Sequence, residues 1–128
     1  MATILIVDDE EDILTLLSAV LARHGHTTLI ARNGHEAVRL FAAGSVDLVL
    51  CDLVMPERDG IETIRAIRGR ATSVPIVAMS GGVATRNPML GDLLVMARHL
   101  GASEVLRKPF ATDELITLVK LLLPGTPA

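Results

Sequence analysis

Short apolar runs alternate with longer stretches in which apolar residues recur at helical spacing, and few folds accept that alternation. The runs are Ile4-Leu5-Ile6-Val7, Thr27 to Ala31, Val46 to Cys51, Val74 to Met79 and Glu104 to Leu106. The first helix spans about Asp12 to His24, with Ile13, Leu16, Leu17, Val20 and Leu21 on its repeat and Gly25 as its stop. Asn33 and Glu36 have the spacing of a capping box and open a second helix that carries Ala37, Val38, Leu40 and Phe41 and ends near Gly44. A third runs from Gly60 to Arg70 with Ile61, Ile64 and Ile67 on one face. The fourth starts at Asn87-Pro88 and stops after Leu100 at Gly101, and the fifth covers Thr112 to Leu123 before Pro124-Gly125. Five strand-then-helix repeats predict an α/β fold with a parallel sheet covered on both faces. The runs are apolar throughout and not alternating, as doubly buried strands should be. Right-handed crossovers are then nearly forced.

The chain has 128 residues, the size of one domain. Residues 1–123 are expected to form that domain and 124–128 a short loose tail, with no room among these residues for a second, output domain. Half of the residues are hydrophobic, but Phe41 and Phe110 are the only aromatics, so Leu, Ile, Val, Ala and Met must pack the core. A net charge of −3 argues against nucleic-acid binding through bulk charge. The single cysteine, Cys51, excludes an internal disulfide and, with four scattered histidines, makes a poor zinc set. No apolar run is long enough for a membrane helix, and no signal peptide precedes the first acids. The expectation is a soluble, cytoplasmic protein with no membrane partner.

In an open parallel sheet, sites form beyond the carboxyl ends of the strands, near the switch point of strand order. Asp8 and Asp9 follow the first strand, Asp52 the third, Ser80 the fourth and Lys108 the fifth. With strands ordered 2-1-3-4-5, the first and third are neighbours and their acids meet. Two charges about 4 Å apart repel by roughly 4 kcal/mol at an effective dielectric near 20. Either one acid holds a proton at neutral pH or a cation binds. Mg²⁺ suits such a site: it takes one or two carboxylates, keeps waters and usually meets a phosphate. Lys108 offers a point charge for a phosphoryl group, Ser80 a hydrogen bond to one of its oxygens, and an aspartate can accept it. Each residue also has an ordinary reading. The acids Asp8 to Asp12 suit a helix N-terminus, Asp52 a turn before Pro56, Ser80-Gly81-Gly82 a turn, and Lys108 a surface position. The coincidence at four strand ends favours the site.

These pieces, in this order, resemble the receiver domain of two-component response regulators. They are Ile4-Leu5-Ile6-Val7-Asp8-Asp9-Glu10, Asp52-Leu53-Val54-Met55-Pro56 with Asp59-Gly60, Met79-Ser80-Gly81, Gly101-Ala102 and Lys108-Pro109-Phe110. The resemblance covers essentially the whole chain and implies a flavodoxin-like (βα)₅ doubly wound sheet. It implies Asp52 as phosphoacceptor and Mg²⁺ held by Asp8, Asp9, Asp52 and the backbone carbonyl of Val54. Ser80 would move toward the phosphoryl group, and Lys108 would pair with Asp52 and then with the phosphate. The Lys108-Pro109 bond is expected to be cis. The implied partner is a histidine kinase or histidine phosphotransfer protein docking on the helix 1 side. The chain is then a signalling protein, not an enzyme on external substrates, with at most self-phosphorylation and self-dephosphorylation.

The chain departs from the family at three places. Val105 stands where the family's switch aromatic falls. The stretch Gly81 to Arg86 is several residues longer than usual, with a Gly-Gly pair that favours mobility. Val54 and Gly82 lack the polar side chains that often tune phosphate hydrolysis, so the aspartyl-phosphate is expected to be long-lived. Apolar residues nearly encircle the fourth and fifth predicted helices, among them Met89, Leu90, Leu93, Leu94, Val95, Met96 and Leu100, then seven of nine from Leu115 to Leu123. They suit either burial on two sides or a surface for a homodimer or downstream protein. Competing readings are a pseudo-receiver that binds partners without phosphorylation, a receiver excised from a hybrid kinase, and a flavodoxin-like cofactor carrier. The carrier would need a Ser/Thr/Gly-rich phosphate loop where this chain has Asp8-Asp9-Glu10-Glu11-Asp12. Cys51 reads as core packing, His24 and His26 as residues flanking a helix end, and His35 and His99 as solvated helix positions.

Overall fold

The computed structural model describes residues 2–53, 60–71, 73–80, 95 and 97–123. In chain order the elements are β1 (Thr3–Val7), α1 (Glu11–Arg23), β2 (Thr27–Ala31), α2 (Gly34–Ala43), β3 (Leu48–Asp52), α3 (Gly60–Arg70), β4 (Ile76–Ser80), β5 (Glu104–Arg107) and α4 (Thr112–Leu122). Thus α4 is the last predicted helix. The predicted helix from Asn87 to Leu100 lies mostly outside the described residues, although 97–99 are helical. All strand pairs are parallel and the order is β2-β1-β3-β4-β5, the flavodoxin-like arrangement expected from the alternation.

Strand side chains alternate between two cores. Leu5, Val7, Val49, Cys51, Ile76 and Ala78 pack with Ala37 of α2 and Ile61, Ile64 and Ile67 of α3. Ile4, Ile6, Leu48, Leu50, Val77 and Met79 pack with Leu14, Leu17 and Leu21 of α1 and Leu115 and Val119 of α4. This explains the unbroken apolar runs, since both faces of β1, β3 and β4 are covered. Each fully buried Leu, Ile or Val side chain contributes about 1.5–3 kcal/mol.

Local signals set the helix ends. Gly25 closes α1 at φ 86, a conformation that side chains with a Cβ rarely adopt. The Asn33 side chain accepts from the Glu36 N–H at 2.9 Å, half of the expected capping box. The other half is displaced by one residue: Glu36 accepts from the backbone N–H of Arg32, at 3.1 Å, and not from that of Asn33. Asn33→Ala should lower stability by about 1 kcal/mol through the lost cap, read as a lower urea midpoint at unchanged slope. At the far end of α3, Arg68 donates from Nε to the Gly101 carbonyl at 2.8 Å and from a terminal nitrogen to that of Ala71 at 3.2 Å. It thereby ties α3 to the turn before β5, and burial lowers its pKa.

Candidate functional site

The sheet order brings the polar strand ends to one rim. Val7 of β1 pairs with Cys51 of β3, so Asp8 and Asp52 follow side by side. Asp52 and Ser80 are the last residues of their strands and not the first beyond them. Pairing continues through them, with the Leu53 N–H donating to the Met79 carbonyl at 2.9 Å and the Lys108 N–H to the Ser80 carbonyl at 2.6 Å. Among the described residues the buried polar or charged side chains are Asp8, Asp52, Ser80 and Lys108 at this rim, and Thr63 elsewhere. A fold gains little stability by burying charge, so this concentration at one edge marks a site.

Lys108 is the hub. Its Nζ donates to Asp8 Oδ2 at 2.6 Å and lies 3.6 Å from Glu10 Oε1 and 3.7 Å from Asp52 Oδ1. Burial by itself would lower its pKa. The hydrogen bond to Asp8 and the charges of Asp52, Asp8 and Glu10 outweigh that and hold it above the usual lysine value. Lys108 therefore stays an ammonium, and it bonds more closely to Asp8 than to the expected partner, Asp52.

The acidic run after β1 is divided among separate partners. Asp8 turns inward to Lys108, and its other oxygen accepts from the Glu10 N–H at 2.9 Å. Glu10 leans over Lys108, and Glu11 forms a two-pronged pair with Arg32 at the end of β2. That pairing lowers the Glu11 pKa, chiefly through the hydrogen bond from Arg32. The N-cap of α1, Glu10, makes no side-chain capping hydrogen bond; Glu11 and Asp12 sit in the first turn, where acids favour the helix dipole. Asp9 stays exposed at the mouth.

Asp8, Asp9 and Asp52 each present a carboxylate oxygen within 4.8 Å of the others. Lys108 reaches two of these three carboxylates, Asp8 and Asp52, and the donors are all hard oxygens. A small divalent cation fits both the charge and the chemistry. The Val54 carbonyl, Met55-Pro56, Asp59, Gly81-Gly82 and the stretch to Arg86 lie outside the described residues, as do the tail and Met89, Leu90, Leu93, Leu94 and Met96. Ser80 is placed at the rim, and the Lys108-Pro109 bond is cis, as expected.

Val105 pairs with Ala78 and packs, partly buried, on the core beneath α2 and α3. Cys51 is buried in that core, its thiol donating to the Asp52 carbonyl at 3.4 Å. The ring Nδ1–H of His24 donates to the Val20 carbonyl at 3.0 Å, and His35 and His99 are exposed. Of the apolar residues on α4, Leu115 and Val119 are buried whereas Leu121 is 76% exposed, so this helix is not sunk on all sides. An open groove of about 440 Å³ lies between β5 and α4, floored by Val105, Leu106, Leu118 and Leu121.

Three features escaped the sequence reading: the approach of Glu10 to Lys108, the Glu11–Arg32 pair, and the contact of Gly60 with the end of β3. A Cβ at Gly60 would lie 2.2 Å from the Asp52 carbonyl oxygen. The signal present in sequence was the Asp59-Gly60 turn composition, which does not say what the glycine approaches.

Residues 4–120 match the family model described as the response regulator receiver domain. The chain is 38% identical over 120 residues to the regulatory protein AtoC of Escherichia coli strain K12, covering 94% of this chain and 25% of that one. It is 34% identical over 120 residues to the alkaline phosphatase synthesis transcriptional regulatory protein PhoP of Bacillus subtilis, covering 94% and 48%. The chain thus spans half or less of these curated relatives. Among solved structures it is similar to the response regulator TrrA of Thermotoga maritima in complex with Mg²⁺ and BeF. There the TM-score is 0.79 and identity 34%, covering 96% of this chain and 100% of that one. Strand order, rim residues and these matches agree, and the chain belongs to the receiver domain family of response regulators.

Proposed function

We propose that residues 1–123 act as the phosphoacceptor receiver of a two-component or phosphorelay system in the cytoplasm. Asp52 takes a phosphoryl group from a histidine kinase or histidine phosphotransfer protein docking beside α1. Output passes by protein contact, either to a downstream protein or to a second copy. The reading rests on one observation: Asp52 is buried at the end of β3, within reach of two further carboxylates and of an ammonium held charged.

An oxygen of Asp52 attacks phosphorus, an acyl phosphate bond forms, the donor's P–N bond breaks, and the released histidine takes up a proton. Lys108 transfers its contact from the carboxylates to the new phosphoryl oxygens. Ser80, on the neighbouring strand, donates its hydroxyl to one of them. Asp8, Asp9 and Asp52, with the Val54 carbonyl, would hold Mg²⁺, which supplies charge neutralisation for the phosphoryl oxygens. That the similar TrrA was solved in complex with Mg²⁺ and BeF supports a metal-assisted phosphoryl site here.

Intact-mass measurement after incubation with acetyl phosphate tests the reading. One phosphoryl group should be added to the wild type in Mg²⁺, and none to Asp52→Asn or in the presence of EDTA. Folded wild type left unlabelled by several donors would favour a pseudo-receiver, a partner-binding module without a phosphorylation switch. Val105 in place of an aromatic is the observation on that side.

A further inference from the structure

We propose that Glu10 is a positioning residue that restrains Lys108 in the unphosphorylated protein and so slows phosphorylation of Asp52. The proposal rests on the phosphoacceptor reading of Asp52. Lys108 Nζ is 3.6 Å from Glu10 Oε1 and 3.7 Å from Asp52 Oδ1, so Glu10 attracts the ammonium from as near as the phosphoacceptor does. Its backbone N–H is also fixed, donating to Asp8 Oδ1 at 2.9 Å. The carboxyl groups of Asp8, Glu10 and Asp52 thus surround one nitrogen, and Glu10 alone among them lies outside the trio of acids able to hold a metal. When the phosphoryl group arrives, Lys108 must turn to its oxygens and give up Glu10. The Glu10 side chain is 62% exposed, so the contact is screened and modest, and its removal should accelerate labelling by about two- to fivefold.

Charge at the mouth of the site would act in the same direction by repelling an anionic donor, and the variants must separate the two effects. Glu10→Gln removes both charge and contact. Glu10→Asp keeps the charge but is one methylene shorter, and loses the reach to Lys108. Glu11→Gln removes one charge from the same acidic run but touches Arg32 and not Lys108. Initial labelling rates with acetyl phosphate at saturating Mg²⁺ should rise for Glu10→Gln and Glu10→Asp and stay near wild type for Glu11→Gln. The Lys108 side-chain NMR resonances of the unphosphorylated protein should shift in both Glu10 variants and not in Glu11→Gln. A wild-type rate for Glu10→Asp, or an equal rise for Glu11→Gln, would reduce the effect to bulk charge and overturn the proposal. Unmoved Lys108 resonances would overturn it as well, and that measurement stands even if no variant, nor the wild type, is labelled. Failure of the wild type to label counts against the phosphoacceptor reading itself.

Discussion

Lys108→Met should destabilise the metal-free protein by about 3 kcal/mol and make its stability depend steeply on Mg²⁺. Methionine keeps most of the stem volume but removes the ammonium that faces Asp8 and Asp52, which are 0% and 4% exposed. Two buried carboxylates then confront each other without the cation that offsets them, and that loss outweighs the fate of the lysine itself. A divalent ion binding only the folded state adds about 2.7 kcal/mol at a hundred times its dissociation constant. It should add more in the variant, because Lys108 no longer competes for the same oxygens. The pH dependence has a definite sign. The folded-state pKa of Lys108 is raised, so its contribution is present in full below the unfolded value near 10.5 and is lost only as pH climbs through the folded value. Titration of Lys108 itself should therefore add no pH dependence to the gap between wild type and variant from about pH 7 to 9. Urea unfolding in EDTA and in Mg²⁺ measures all of this. Equal Mg²⁺ responses in the two proteins would show that Lys108 and the cation do not share these carboxylates.

Most of this arrangement was legible in the sequence, for an identifiable reason. The unbroken apolar runs gave parallel strands buried on both faces, and each strand end was marked by a change from apolar to polar. Reading the first polar residue after the first, third and fourth runs found Asp8, Asp52 and Ser80, whereas Lys108 lies one residue beyond Arg107 after the fifth. Bounds were less legible. Strand pairing depends on backbone hydrogen bonds and runs through polar residues, so Asp52 and Ser80 lie inside their strands. Pairing preferences were least legible. Lys108 ends a four-carbon stem, and periodicity says nothing of which carboxylate that stem reaches. Asp8 accepts from the ammonium at 2.6 Å and Asp52 lies at 3.7 Å, although both are buried. The acids Asp8 to Asp12 also suited a helix start, but nothing in that run said that Arg32, distant in sequence, claims one of them and Lys108 two.

Gly60→Ala should nearly abolish phosphorylation of Asp52, while the same change at Gly69 in the same helix leaves it intact. A Cβ at position 60 would lie 2.2 Å from the Asp52 carbonyl oxygen, 2.5 Å from Leu53 Cα and 2.9 Å from the Asp52 carbonyl carbon. All three are backbone atoms at the strand end that carries Asp52, so no side-chain rotation relieves the overlap. The Gly60 N–H also donates to the Leu53 carbonyl at 3.0 Å, which pins the start of α3 to the end of β3. Alanine must break that hydrogen bond or push the Asp52–Leu53 backbone by about an ångström, at a cost of about 3 kcal/mol. A carboxylate misplaced by that much relative to Asp8, Asp9 and Lys108 loses on the order of a hundredfold in rate. At Gly69 an added Cβ meets nothing within 4 Å, and replacing a helical glycine there should raise stability by about 0.5–1 kcal/mol. Labelling rates with acetyl phosphate and urea midpoints on the two variants test the pair. A Gly60→Ala protein that is destabilised yet still labels at the wild-type rate would mean that α3 yields and β3 does not. The packing of this helix would then contribute to stability and have no part in placing Asp52.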